Sequence, residues 1–314
     1  VIGQSLQPRP GMHPTVLLIR SNRLEILADL LAADVAAPVD ALSGTAAAVV
    51  TPEPIVVQSR GMERWVAMEL ARRLGVWANP RFVFPRALIE EVLESALGGE
   101  REGRRRWARE GLVWAVAQAL PSLLERERFL PLARYLDHPD PAGRRPLQLA
   151  GRIANLFDQY VVYRPDLVLA WEQGSDAGAP GEDAWQPALW RALHGALGDG
   201  HLAHRVRDLR AHVDAGAGAP PGLPPRMSLF GVTTLPPLYL SVLLSLAPYV
   251  QIRVYHHAPS DAWFADDRPK AEIARLLRDV TVQPEDVHLE QGHPLLASMG
   301  RVARDFQFYL ADLE

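Results

Sequence analysis

Short apolar runs alternate with helical periods at both ends of this chain, and a long middle stretch carries helical periods alone; that pattern constrains the fold more than any other feature. A strand is expected over Thr15–Ile19, then a helix from about Asn22 to Ala33, with Ser21 or Asn22 as N-cap. A loop rich in Ala, Pro and Gly runs to Glu53. A second strand over Ile55–Gln58 leads into helices over about Gly61–Leu74 and Pro85–Leu97. The middle reads as helices Trp107–Leu124, Leu147–Val162, Gln186–Leu197 and His201–Val213, separated by turn signals at His138–Arg145 and Gly174–Gly181. After Gly216–Pro225 the strands return as Met227–Gly231 and Val250–His256, with a helix Pro237–Leu246 between them and a closing helix Pro294–Leu313.

Strand–helix alternation points to a parallel sheet with crossover helices. The economical division is an α/β domain of residues 15–100 plus 226–314, an all-helical insertion at 101–225, and an extension over 1–14 expected to be disordered. The hydrophobic share of 48% supplies ample core, and no apolar run approaches the ~20 residues of a membrane span. The start has no signal-peptide pattern, and the last helix ends without a cap, so the native protein is expected to continue. The chain has no cysteine, which removes thiolate metal sites and cysteine nucleophiles and fits a cytoplasmic location. A net charge of -4 carries no nucleic-acid signal. Lys270 is the lone lysine among 33 basic residues, which fits either a GC-rich gene or a use of arginine's planar fork.

Sheets of this kind bind ligands at the carboxyl ends of their strands. Nucleotide-hydrolysing versions place G-x-x-x-x-G-K-[ST] after the first strand, where glycine backbone cradles phosphate and the lysine reaches it. Here that loop reads Ile19-Arg20-Ser21-Asn22-Arg23-Leu24, with neither glycine nor lysine, and Lys270 sits elsewhere between Pro269 and Ala271. The segment after Met227–Phe230 is Gly231-Val232-Thr233-Thr234-Leu235-Pro236-Pro237, with no carboxylate to hold Mg²⁺. ATP hydrolysis is therefore not expected. His256-His257 and the pair His201/His204 come closest to metal-ligand spacing, but no neighbouring carboxylates complete a site, so no metal is expected. No nucleophile elbow or paired-carboxylate constellation is present.

Several blocks resemble one family in order and spacing. They are Ser21-Asn22-Arg23-Leu24, Val57-Gln58-Ser59-Arg60-Gly61-Met62 with Trp65, Leu156-Phe157-Asp158-Gln159-Tyr160, Val162-Tyr163-Arg164-Pro165-Asp166 and Trp171-Glu172. Trp185-Gln186, Leu189-Trp190, Pro221-Gly222-Leu223-Pro224, Leu235-Pro236-Pro237 and Pro294-Leu295-Leu296-Ala297-Ser298 follow. Together they resemble the amino-terminal part of RecC, the gamma subunit of exodeoxyribonuclease V. Members of that family begin just before the first strand, which makes Met12 the expected start.

The resemblance implies a fold like a superfamily 1 helicase that has lost its ATPase motifs, and a DNA-binding subunit without catalysis of its own. It implies partners RecB and RecD, with ATP and Mg²⁺ used by those subunits and no cofactor in this chain. It implies binding of double-stranded DNA, whose strands the assembly separates, passage of the 3′-ended single strand and sensing of the recombination hotspot Chi. The family's channel positions fall here on Gln58, Leu156, Asp158, Gln159, Arg164 and Arg205. Helical spacing puts Arg152, Asn155, Asp158 and Gln159 on one stripe of the Leu147–Val162 helix, and Ile153, Leu156, Phe157 and Tyr160 on the other side. Amide and arginine side chains suit base edges and phosphates. The bland reading is a solvated face ending in an Arg164-Pro165-Asp166 turn.

Trp65, Tyr160, Tyr163 and Trp171 are candidates to stack on bases, with Trp65 and Tyr160 expected in the core instead. Arg104-Arg105-Arg106 reads as a solvated loop rather than a phosphate contact. The chain departs from the family's sequence-reading pattern at Arg60, Arg64, Glu90 and Asn155, where the family has threonine, glutamine, tryptophan and aspartate. Added arginines favour phosphate contact, which carries no sequence information, so a different hotspot, or none, is expected. Two rivals remain: an active helicase, and a scaffold that organises partner subunits.

Overall fold

A computed structural model describes residues 16–37, 52–77, 80–98, 101–216, 218–260, 262–269, 271–274 and 293–311. The expected extension, the start at Met12, the lone Lys270 and the end of the closing helix lie outside the described residues. The chain divides into two compact units, Val1–Val92 with Ala219–Leu235 and Leu243–Glu314, and Leu93–Gly218 with Pro236–Val242.

The first unit is built on a sheet of five strands among the described residues, β1 (Val16–Ser21), β2 (Glu53–Val56), β3 (Pro80–Val83), β4 (Arg226–Val232) and β5 (Gln251–His257). They lie in the order β1-β5-β4-β2-β3, and every neighbouring pair is parallel. Strand β4 is buried along its whole length, as a central strand covered on both faces must be. Strand β3 was not expected from the sequence; it is four residues long and opens on Pro80, a residue tolerated where a strand begins at a sheet edge.

Helix α1 (Leu24–Ala36) sets Leu27, Ala28, Leu31 and Ala32 into the core. Helix α2 (Arg60–Leu74) is capped by Ser59, whose hydroxyl accepts from Met62 N at 3.1 Å, and it buries Val66 and Leu70. These side chains meet Ile55, Val57, Phe230 and Tyr255 in one core. Trp65 packs against the same core and stacks on Phe230 at 6.0 Å between ring centroids. Helix α3 (Pro85–Leu97) follows β3.

The second unit is helical. Helices α4 (Arg101–Trp107) and α5 (Arg109–Ala119) replace the single helix expected over Trp107–Leu124. Ala108 is extended between them (φ -62°, ψ 152°), and a Cβ on Gly111 would sit 2.4 Å from Arg105 O, so only glycine admits the tight corner. Arg104-Arg105-Arg106 is thereby the last turn of a helix rather than a loop.

Then come α6 (Leu130–Leu136), α7 (Arg145–Tyr163), α8 (Pro165–Glu172), α9 (Trp185–Leu197) and α10 (Leu202–Asp214). On α7, Leu149, Ala150, Ile153, Ala154, Phe157, Val161 and Val162 form the buried face. Phe157 meets Trp190 edge-on at 5.3 Å and lies against Trp171 and Trp185. Helix α11 (Pro237–Leu246) leads into β5, and α12 (Pro294–Met299) and α13 (Arg301–Ala311) are separated by Gly300, where one helix was expected. Among the described residues no helix is long and apolar enough to cross a membrane.

Candidate nucleic-acid interface

At the carboxyl edge of the sheet, two residues alone separate β1 from α1, and Ser21 Oγ accepts from Arg23 N at 3.1 Å. A phosphate-cradling loop needs several glycine-rich residues at this position. Gly231, at φ 64° beside the register shift in β4, is approached by apolar side chains instead: a Cβ there would lie 3.0 Å from Met62 Cε and 3.7 Å from Leu24 Cδ2. His256 is 3% exposed, and burial holds its imidazole below the usual range, so the neutral ring donates Nδ1–H to Val232 O at 2.7 Å. His257 Nε2 lies 3.3 Å from Asn22 O.

Gln58 stands exposed just past β2, but its amide is engaged. Its Nε2 donates to Thr234 O at 2.5 Å and its Oε1 accepts from Thr233 Oγ1 at 3.3 Å. Nearby, Arg60 reaches over the Phe84 ring at 5.5 Å and pairs with Glu63 at 3.4 Å. The other five candidates belong to the helical unit. Gln159 and Arg164 are exposed, Leu156 and Asp158 are half-buried, and Arg205 on α10 is only 8% exposed. Burial sets Arg205 apart from the surface residues.

Helix α7 presents Gln148, Arg152, Asn155 and Gln159 to solvent at successive helical turns. Four residues of that surface, Gln148, Gly151, Arg152 and Asn155, line a groove of about 500 Å³ with Arg109 at the start of α5. Arg109, Gln148 and Gly151 were absent from the sequence-derived set. Gln148 lay within the helical period, but the approach of Arg109 depends on how α5 packs on α7. The groove offers two guanidinium groups and two amides beside one glycine, a lining that matches phosphodiester oxygens and base edges. Arg164 closes α7 with its guanidinium 5.9 Å from the Tyr160 ring centroid.

The stacking candidates divide sharply. Trp171 is fully buried with Nε1 donating to Ala177 O at 2.9 Å, and Trp65 is core-packed. Tyr160 donates its hydroxyl to Gln186 Oε1 at 3.0 Å. Tyr163 is 58% exposed and alone of the four is open to a base.

One cluster was missed. Glu172 at the end of α8 accepts from His201 Nε2 and His204 Nε2, each at 2.7 Å, and from Trp190 Nε1 at 2.9 Å. Sequence reasoning found the two histidines at helical spacing but not their carboxylate, because residue 172 lies on another helix. Burial opposes ionisation of Glu172, yet the hydrogen bonds from His201 and His204 outweigh it and hold the carboxyl well below the usual range. Burial also lowers His201, which stays neutral and donates Nε2–H.

Comparison with known proteins extends the geometry. Residues 16–314 match the family model described as RecC, N-terminal domain. The chain is 34% identical over 290 residues to the RecBCD enzyme subunit RecC of Escherichia coli strain K12, covering 84% of this chain and 26% of that protein. It is 32% identical over 305 residues to the protein of the same name from Mycolicibacterium smegmatis, covering 94% of this chain and 25% of that one. The Haemophilus influenzae relative is 29% identical over 308 residues, covering 82% and 27%. The chain thus spans about a quarter of the length of these relatives. It belongs to the RecC family and corresponds to that family's amino-terminal domain.

Proposed function

We propose that this chain guides single-stranded DNA, without catalysis of its own, within an exodeoxyribonuclease V assembly that serves recombinational repair of double-strand breaks in the cytoplasm. Its relatives carry names that make them subunits of the RecBCD enzyme, which supports RecB and RecD as partners. ATP and Mg²⁺ chemistry belongs in this reading to those partners. The sheet unit is taken as a superfamily 1 helicase-like fold that lost its ATPase motifs, with residues 101–225 inserted. The two-residue β1–α1 connection and the apolar contacts at Gly231 support the loss.

The observation that carries the DNA role is the exposed line Gln148–Arg152–Asn155–Gln159 running from the arginine-lined groove along α7. The 3′-ended strand passes along this line, where amides meet base edges and guanidinium groups meet phosphates. Arginines at 60 and 64 and asparagine at 155 shift the balance toward phosphate contact, so the hotspot sequence recognised differs from Chi. A photocrosslinking residue at Gln159, in the full chain assembled with its partners, captures the 3′-ended strand during unwinding. Crosslinks confined to protein would overturn the DNA role.

A scaffold reading draws on one observation, the burial of Arg205 together with the half-burial of Leu156 and Asp158. Under it the α7 line is a solvated face, and the same crosslinking experiment separates the two.

A further inference from the structure

The turn between α9 and α10 gathers three donor atoms that DNA guidance does not use. His194, in the last turn of α9, holds Nε2 at 2.8 Å from Asp199 Oδ1, and His204, in the first turn of α10, holds Nδ1 at 3.4 Å from the same oxygen. The donors of His194, Asp199 and His204 all lie within 4.8 Å of one another. Gly198 (φ 72°) and Gly200 (φ 139°) flank Asp199, positions where a side chain would be strained. The backbone therefore folds back tightly enough to bring the end of one helix against the start of the next.

His204 Nε2 lies 2.7 Å from Glu172 Oε2, and in the neutral tautomer that donates there Nδ1 carries the lone pair. The side chain is 3% exposed, and Nδ1 has no hydrogen-bond partner among the described residues. A buried ring nitrogen facing a carboxylate and a second imidazole forms a donor set that one bound cation would satisfy. Metal-bound histidines characteristically donate their second N–H to a carboxylate that fixes the ring. Glu172 has that place here, and is itself fixed by Trp190 Nε1 and His201 Nε2.

We propose that His194 Nε2, His204 Nδ1 and Asp199 Oδ1 bind one divalent transition-metal ion of the Zn²⁺ type, with Glu172 orienting His204. Two imidazole nitrogens and one carboxylate oxygen select such an ion over Mg²⁺ or Ca²⁺, which favour oxygen ligands throughout. Ligand bonds of about 2.0–2.1 Å in a tetrahedral site set donors ~3.3 Å apart. The 3.4 Å spacing already fits, and the 2.8 Å spacing opens by a small shift of Asp199, whose side chain is 73% exposed. That exposure also gives the ion an entry path and leaves the fourth position to water. The ion clips the α9–α10 turn and braces the helices that flank α7. No metal was expected from the sequence, in which His201 and His204 come closest to ligand spacing; in the proposed site the partner of His204 is instead His194.

The test uses the full chain stripped of metal with a chelator and titrated with Co²⁺ alone, followed by visible absorbance, and then with Zn²⁺ by calorimetry. The expected result is one equivalent of Co²⁺ with a d–d band that Zn²⁺ abolishes. His194→Ala and Asp199→Asn, on a half-buried and an exposed side chain, each weaken Co²⁺ binding at least tenfold while the circular dichroism of the metal-free chain stays unchanged. Failure of the wild-type chain to bind Co²⁺ or Zn²⁺, or equal affinity in wild type and both variants, would overturn the proposal.

Discussion

Gln58 Nε2 donates to Thr234 O at 2.5 Å while Gln58 Oε1 accepts from Thr233 Oγ1 at 3.3 Å, so one side chain fastens the end of β2 to the loop after β4. Gln58→Ala removes both bonds and is expected to cost about 1 kcal/mol, the ordinary worth of a hydrogen bond between folded and solvated states. Gln58→Glu is expected to cost more, because a carboxylate has no N–H for the Thr234 carbonyl. Urea midpoints at unchanged slope check the order.

Arg226 and Glu53 join β4 to β2 through two parallel bonds, Nε to Oε1 at 2.8 Å and Nη2 to Oε2 at 2.6 Å, and Arg226 is 4% exposed. Ser228 Oγ adds a third donor to Glu53 at 3.2 Å. Glu53→Ala leaves a buried guanidinium without its counterion and is expected to destabilise by about 3–5 kcal/mol. Denaturant unfolding measures this directly; a loss of the size of an exposed pair would show that water reaches the arginine.

The two faces of α7 make opposite predictions. Phe157→Ala empties a site among Trp171, Trp185 and Trp190 and is expected to cost about 3–5 kcal/mol. Asn155→Ala and Gln159→Ala, on the exposed face, are expected to shift stability by no more than about 0.5 kcal/mol. Any effect of the latter pair on DNA handling is then separable from folding.

The helical period of α7 was legible because its buried and exposed residues alternate cleanly over five turns. The order of the strands was not, since parallel neighbours such as β1 and β5 are joined by contacts across more than two hundred residues. Strand β3 escaped notice because four residues opening on proline carry no alternation. No helix was expected over the residues of α8, although its Pro165 stands at a first helical position, where proline is favoured. The break at Ala108 depends on Gly111 meeting the carbonyls of α4, a contact that no local pattern encodes. In the same way, the surface position of Gln159 followed from spacing, whereas the burial of Arg205 and the carboxylate partner of His201 and His204 depend on packing between helices.

Acidification is expected to weaken the helical unit in two stages. His201 is held neutral by burial, so below about pH 6.5 the unfolded chain takes up a proton that the folded chain refuses. Glu172 is held ionised by its histidine partners against the opposing effect of burial, so its contribution is present above the ordinary glutamate range and is lost as pH falls below about 4.3. Both groups have lowered values in the folded state, and both therefore remove stability as pH falls. Urea midpoints should hold steady from pH 8 to about pH 7 and decline below about pH 6.5; a flat profile between pH 7 and pH 5 would contradict the state assigned to His201.

The most direct measurement of the central claim compares wild type with Gln159→Ala/Arg164→Ala in the full chain assembled with its partner subunits, reading unwinding rate and the positions of DNA product ends. Unwinding is expected to stay within about twofold of wild type, since neither side chain supports the core, while discrete sequence-set ends disappear. Unchanged unwinding with unchanged product ends would contradict the claim and leave the α7 line as a solvated face.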